Sequence, residues 1–145
     1  MYSAKIATSP EELERIIQLR VDILRKPWNQ PAATATDEAE SKSINVFIED
    51  EHKEVLACAR LQENEGKVGQ IRFMAVSEKF QGKGLGKIVV KKAEETAKQM
   101  GLTKIELQAR ENAVEFYKSA GYTIKEKTFL LWGIIQHYLM EKDLS

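Results

Sequence analysis

The sharpest chemical signal in the sequence is the run Gln81-Gly82-Lys83-Gly84-Leu85-Gly86-Lys87. Its alternate glycines let backbone N–H groups point inward, because no Cβ stands in the way. Apolar residues then recur at helical spacing, at Leu85, Ile88, Val89, Ala93, Ala97 and Met100, and Gly101 follows as a helix stop. A strand ending near Val76, a glycine loop and a helix N-terminus together form an anion cradle, most often for phosphate. Lys83 and Lys87 add mobile charge beside it. Two common phosphate loops fail on spacing. A Walker loop would need glycine where Gln81 stands and a hydroxyl where Ile88 stands. A dinucleotide fingerprint would need glycine at Lys87 or at Val89. An ordinary glycine-rich turn remains the plainer reading of the loop taken alone.

The elements around the loop must hold it. Ser9-Pro10-Glu11-Glu12 reads as a capped helix start, and Leu13, Ile16, Ile17 and Leu24 carry the pattern on to about residue 24. Residues 25–43, with Pro27, Trp28 and Pro31, are the most loop-like part. Ile44–Ile48, Val55–Leu61 and Val68–Val76, joined by short turns, predict an antiparallel meander. After the long helix come a short alternating strand, Ile105–Ala109, and a helix from Asn112 to Ala120 ended by Gly121. Tyr122–Lys127 and Gln136–Lys142 follow as two strands. The order α, βββ, α, β, α, ββ describes a mixed sheet carrying helices, of α/β or α+β type.

Composition bounds the function. The 145 residues, with 43% hydrophobic and 30% charged side chains, suit one globular domain spanning 1–145 with a core of its own. Lys+Arg and Asp+Glu number 22 each, so bulk charge gives no reason to expect nucleic acid or an anionic membrane as partner. The cancellation is between halves: residues 1–66 carry 8 basic and 13 acidic side chains, residues 67–145 carry 14 and 9. Cys58 is alone and His52 and His137 are far apart, so no metal site is expected. The lack of a long apolar run or signal-like start leads to the expectation of a cytoplasmic protein.

Gln81, Gly84 and Gly86 fit the spacing Q/R-x-x-G-x-G/A, the pyrophosphate loop of the GCN5-related N-acetyltransferase (GNAT) superfamily, which the sequence resembles. Asn112-Ala113-Val114-Glu115-Phe116-Tyr117-Lys118-Ser119-Ala120-Gly121-Tyr122 is similar to a second motif of that superfamily, matching A-x-x-F-Y-x-x-x-G-[FY] from Ala113 onward. The end of the strand at Phe73–Ser77 and the element order agree with it too. The resemblance implies a mostly antiparallel sheet of six to seven strands, splayed between strands four and five. It implies acetyl-coenzyme A as cosubstrate, with no metal, and direct transfer of the acetyl group to a primary amine, expected to belong to a small molecule.

By the same resemblance the amides from Gln81 to Lys87 would hold the pyrophosphate, and Met74-Ala75-Val76 would pair with the pantetheine arm. The Val76 amide would polarise the thioester carbonyl. Tyr117 would protonate the departing thiolate, and Phe116 and Asn112 would join the coenzyme contacts. Plainer readings stand beside these: strand core for Met74 and Val76, a half-buried aromatic for Tyr117, a helix cap for Asn112. The general base is not marked. Glu63, Glu65 and Glu111 could face the acceptor, though solvated surface charges are the plainer reading. Arg72 could bind an acidic acceptor or face solvent. His137 could lie near the acceptor or be a hydrogen-bonded structural histidine. Cys58 reads as a small buried residue. Phe129–Ile135 reads as a hydrophobic lid or homodimer surface in preference to a continuation of the final hairpin into the core. The early acidic half would face a cationic amine. A coenzyme-sensing domain that has lost catalysis, or a generic nucleotide-binding domain, is the competing function.

Overall fold

Helix α1 (Pro10–Arg20) begins with a complete capping box: Ser9 Oγ accepts from the Glu12 amide, and the Glu12 carboxylate accepts from the Ser9 amide. At its far end the coil widens into a π-helical turn, Val21–Arg25, which leaves Val21 and Arg25 both buried. These features belong to a computed structural model that describes residues 2–144. The segment after the π turn is a chain of 3₁₀ turns at Lys26–Trp28, Ala32–Ala35 and Glu40–Lys42.

The strands are β1 (Lys5–Ile6), β2 (Ile44–Glu49), β3 (Val55–Asn64), β4 (Val68–Val76), β5 (Lys104–Arg110), β6 (Thr123–Leu131) and β7 (Ile135–Asp143). They form one sheet in the order β1-β2-β3-β4-β5-β7-β6. Every neighbouring pair is antiparallel except β4 and β5. The two-residue β1 carries no apolar alternation, which is why the sequence did not mark it. The long helix is α2 (Leu85–Gln99), and the expected last helix is a 3₁₀ turn leading into α3 (Val114–Ser119).

Strand alternation sorts the sheet into two faces. Ala57, Ala59, Leu61, Ile71, Ile105, Leu107 and Met140 pack with Leu85, Val89, Val90, Ala93 and Ala97 of α2. On the opposite face Phe47, Cys58 and Ala75 pack with Ile16 and Leu19 of α1. β4 and β5 pair only from Val68–Ile71 to Lys104–Leu107. Past that point a register shift against β3, between Cys58 and Arg60, coincides with a φ of 51° at Phe73. Such a bulge bends the strand that carries it. β4 leaves β5, and a gap opens through the sheet.

The apolar segment 129–135 is not a separate lid. Phe129–Leu131 complete β6, Trp132 and Gly133 turn with φ of 52° and 72°, and Ile135 begins β7. It is the tip of the last hairpin, yet it does not enter the core, because Phe129, Leu130 and Ile134 remain exposed. A hairpin turn made by Trp-Gly rather than Asn-Gly hides the chain reversal from the sequence.

Candidate functional site

The gap between β4 and β5 is an open cleft of about 1000 Å³ that runs through the sheet. At its α2-side mouth lies the glycine loop. Gly82 and Gly84 have φ of 78° and 83°, and Gly84 stands at the N-cap of α2. No side chain caps that helix, and its first turn carries no acidic residue, so the amides of Leu85, Gly86 and Lys87 keep donors for an anion. Gly86 has a different reason to be glycine. A Cβ there would stand 3.0 Å from Met74 Cε and from Phe116 Cζ.

The edge of β4 supplies further donors. The Ser77 amide donates to Leu56 O on β3 at 2.8 Å. Successive amides of a strand alternate between its two edges, so those of Val76 and Met74 face the gap. Gln81 folds back, its side-chain amide donating to Val76 O at 3.1 Å. Met74, Ala75, Val76, Gln81, Gly82, Gly84, Leu85, Gly86, Lys87, Asn112, Phe116 and Tyr117 all line the cleft. Lys83 does not: its ammonium lies over the Phe80 ring, 5.4 Å from the centroid. Asn112 does not cap its helix either, since Ala113 holds the N-cap of α3 and no side chain caps it. The Tyr117 ring packs edge-on against Phe116 and Tyr122, and burial pushes its phenol well above the usual range. The hydroxyl stays protonated near neutral pH, which suits a donor and not a base.

The α1-side mouth is built differently from the sequence expectation. Among the described residues no carboxylate lines the cleft. Glu63 and Glu65 border a separate shallow pocket, and Glu111 accepts from the Tyr138 hydroxyl at 3.1 Å. Two acids of the early segment, Asp37 and Glu40, are spent on arginines. Glu40 accepts from Arg20 at 2.6 Å, and Asp37 accepts from Arg60 at 2.8 Å and from Arg72 at 3.0 Å. Arg20 and Arg60 are wholly buried. The expectation that the acidic half faces a cationic acceptor is therefore corrected: what reaches the cleft from that half is Arg25.

Arg25, Arg72 and Arg110 all line this mouth. The Phe73 ring has four guanidinium carbons near its centroid: Arg20 at 4.6 Å, Arg60 at 4.8 Å, Arg72 at 5.0 Å and Arg25 at 5.7 Å. Arg25 and Arg110 both donate to the Leu24 carbonyl, at 3.0 and 3.3 Å. Arg110 was not singled out in the sequence. It could have been, since Ile105, Leu107 and Ala109 are its buried alternates, leaving Glu106, Gln108 and Arg110 on the other face.

His137, the register partner of Arg110, is 5% exposed and also lines the cleft. Its Nδ1 lies 3.0 Å from Ile135 O, and the ring stacks on Phe129 at 4.4 Å. Nδ1 must carry the proton in that contact, so Nε2 of the neutral ring holds the lone pair. Burial, and then the Arg110 charge, lower its pKa from the ordinary value. Cys58 lies under the bulge, its thiol directed at Phe73 O, and burial raises it to about 11. It is a packing residue and not a nucleophile.

The splayed β4–β5 pair and the glycine loop agree with the superfamily that the sequence resembles, and comparison with known proteins shows the family. The model of the acetyltransferase (GNAT) family matches residues 13–122. The uncharacterized N-acetyltransferase YjcF of Bacillus subtilis is 34% identical over 142 residues, covering 97% of this chain and 99% of that protein. A candidate N-acetyltransferase from Lactobacillus plantarum superposes with a TM-score of 0.89 at 19% identity, over 99% of both chains. A Bacillus subtilis acetyltransferase solved in complex with CoA superposes with a TM-score of 0.79 at 19% identity, over all of both chains. The chain belongs to the GNAT acetyltransferase family. It is an acetyltransferase, and no helix among its described residues is long and apolar enough to cross a membrane.

Proposed function

We propose that this acetyltransferase moves the acetyl group of acetyl-coenzyme A directly to the primary amine of a small molecule, without a covalent enzyme intermediate. The observation that carries this reading is the through-sheet gap. Its α2-side mouth offers unpaired helix amides for a pyrophosphate, its β4 edge offers the Val76 and Met74 amides, and its opposite mouth is free for a second substrate. The amides of Gln81 to Lys87 hold the pyrophosphate, and Asn112 and Phe116 flank the arm of the coenzyme. The Val76 amide polarises the thioester carbonyl as negative charge develops on its oxygen. Direct transfer also follows from the chemistry of Cys58, whose buried thiol is far from ionised near neutral pH.

An ammonium must lose a proton before its nitrogen can attack. With no carboxylate of the described residues lining the cleft, Nε2 of His137 is the group that takes it, directly or through one water. The nitrogen attacks the thioester carbonyl, the C–S bond breaks, and the thiolate accepts the Tyr117 proton. The second proton of the attacking nitrogen passes through water to the Tyr117 oxygen as the amide forms, and His137 releases the first to solvent. The exposed tip at Phe129, Leu130 and Ile134 is the surface that a homodimer would use.

The test is release of free thiol from acetyl-coenzyme A across a panel of amines. Wild type turns over at least one amine class. Tyr117→Phe lowers kcat roughly tenfold while the coenzyme Kd stays within about twofold, since the thiolate is a fair leaving group unaided. Tight coenzyme binding with no thiol release for any amine would establish a coenzyme-sensing domain instead.

A further inference from the structure

The α1-side mouth of the cleft carries more positive charge than the protein itself neutralises. Five guanidinium groups gather there: Arg20, Arg25, Arg60, Arg72 and Arg110. Asp37 and Glu40 are the carboxylates that pair with them, and they serve Arg20, Arg60 and Arg72. Arg25 is 9% exposed, yet its donors meet only neutral oxygens, Thr34 Oγ1, Thr34 O and Leu24 O. Arg110 meets the same Leu24 carbonyl and lies over the rings of Trp28 and Trp132, at 6.0 and 5.9 Å. A buried and a half-buried cation side by side on one carbonyl repel each other, and among the described residues no carboxylate lining the cleft relieves them. Burial, and then mutual repulsion with Arg20 and Arg72 for Arg25 and with Arg25 for Arg110, hold both below the ordinary arginine range.

These groups are not placed for the coenzyme phosphates. The glycine cradle opens on the α2 face of the sheet, whereas Arg72 and Arg110 alternate with residues buried on that face and so project to the other. We propose that the acceptor is a primary amine that also carries an oxyanion, a carboxylate or a phosphate, held by Arg25, Arg72 and Arg110. Planar guanidinium forks match either anion in two-point fashion. The anion anchors one end of the molecule and leaves its amine toward His137, which pairs in register with Arg110. The same charge excludes diamines, polyamines and aminoglycosides, whose extra cation would meet Arg25 and Arg110, which bond only neutral oxygens among the described residues.

This inference rests on the acetyl-transfer reading, so its test measures binding and turnover separately. The protein saturated with coenzyme A is titrated calorimetrically with γ-aminobutyrate, with O-phosphoethanolamine, and with putrescine as the cationic control. At least one of the two anionic amines binds, and which one identifies the anion. Putrescine binds at least tenfold more weakly. Arg110→Gln, checked for folding by circular dichroism, weakens the anionic amine 10- to 100-fold, the loss expected for a charge-assisted hydrogen bond, and leaves the affinity for coenzyme A unchanged. Arg110→Lys restores part of it, which a purely structural role would not predict. Anionic amines that bind but are never acetylated would support this site while sinking the catalytic reading. Acetylation of putrescine in preference to both anionic amines, or an Arg110→Gln protein of unaltered affinity, would overturn the site and leave acetyl transfer standing.

Discussion

Gly84 and Gly86, two positions apart, show how a single Cβ can be excluded for unrelated reasons. At Gly84 a side chain would enter open space, but φ of 83° strains any L-residue. At Gly86 the backbone is ordinary helix, and the obstacle is Met74 and Phe116 at 3.0 Å. Gly84→Val should therefore cost about 1–2 kcal/mol of stability and, by crowding the cradle amides, weaken coenzyme binding at least tenfold. Gly86→Val should instead lose roughly 1–3 kcal/mol through overpacking, with the coenzyme pocket disturbed as a consequence. Thermal melts paired with calorimetric titration of coenzyme A separate the two. His137 makes a pH claim at the same scale. Its pKa lies below the ordinary imidazole value, so the neutral base is present at pH 7 and is lost as pH falls through that lowered pKa. The kcat/KM profile should have an acidic limb below about pH 6.5, and that limb should vanish in His137→Gln along with most of the rate. A limb that persists in the variant would assign the titration to another group.

The bulge in β4 and the loop before β2 are the elements that make these residues into a site. The glycine loop, α2 and the strand order around them were legible in the sequence, because spacing and periodicity are local properties of Gln81–Met100. The cationic mouth was not. Arg25 reaches the cleft through a π turn, Arg72 and Phe73 share one face because of the bulge, and Asp37 and Glu40 are consumed by Arg20 and Arg60. Each of these depends on a nonlocal partner. The same loop sets an acid limit on stability. Burial by itself would raise the Glu40 carboxyl, but hydrogen bonds from Arg20, Asn45 and Thr36 and the Arg20 charge hold it at about 2. A depressed carboxylate stabilises the fold fully above its unfolded value of 4.5, and that contribution is lost as pH falls toward 2. The drop is worth about 3 kcal/mol. Chemical denaturation between pH 6 and pH 3 should reveal it in wild type. Glu40→Gln should lower stability near neutral pH by about 3–5 kcal/mol, since it strands buried Arg20 while Asp37 still pairs Arg60, and should flatten the acid dependence. A variant whose stability still fell as steeply would place the acid sensitivity elsewhere.

Zero net charge across the whole molecule conceals two cationic mouths on opposite faces of one sheet. The first, with Lys87, is exposed; the second, with Arg25 and Arg110, is buried or half-buried. Solvent ions screen exposed charges over a Debye length of about 10 Å at 0.1 M salt, and reach buried ones far less. With no net field to steer substrates, any salt effect must come from these local clusters. Raising NaCl from about 20 mM to about 500 mM should therefore lower kcat/KM for acetyl-coenzyme A several-fold. The kcat/KM for an anionic acceptor should fall by a smaller factor, because desolvated arginines keep most of their attraction. Initial-rate measurements with each substrate varied at saturating levels of the other supply both factors. Equal salt sensitivity for the two would mean that the arginines meet the acceptor in open solvent. A rise in acceptor kcat/KM with salt would mean that the acceptor is a cation that the mouth repels.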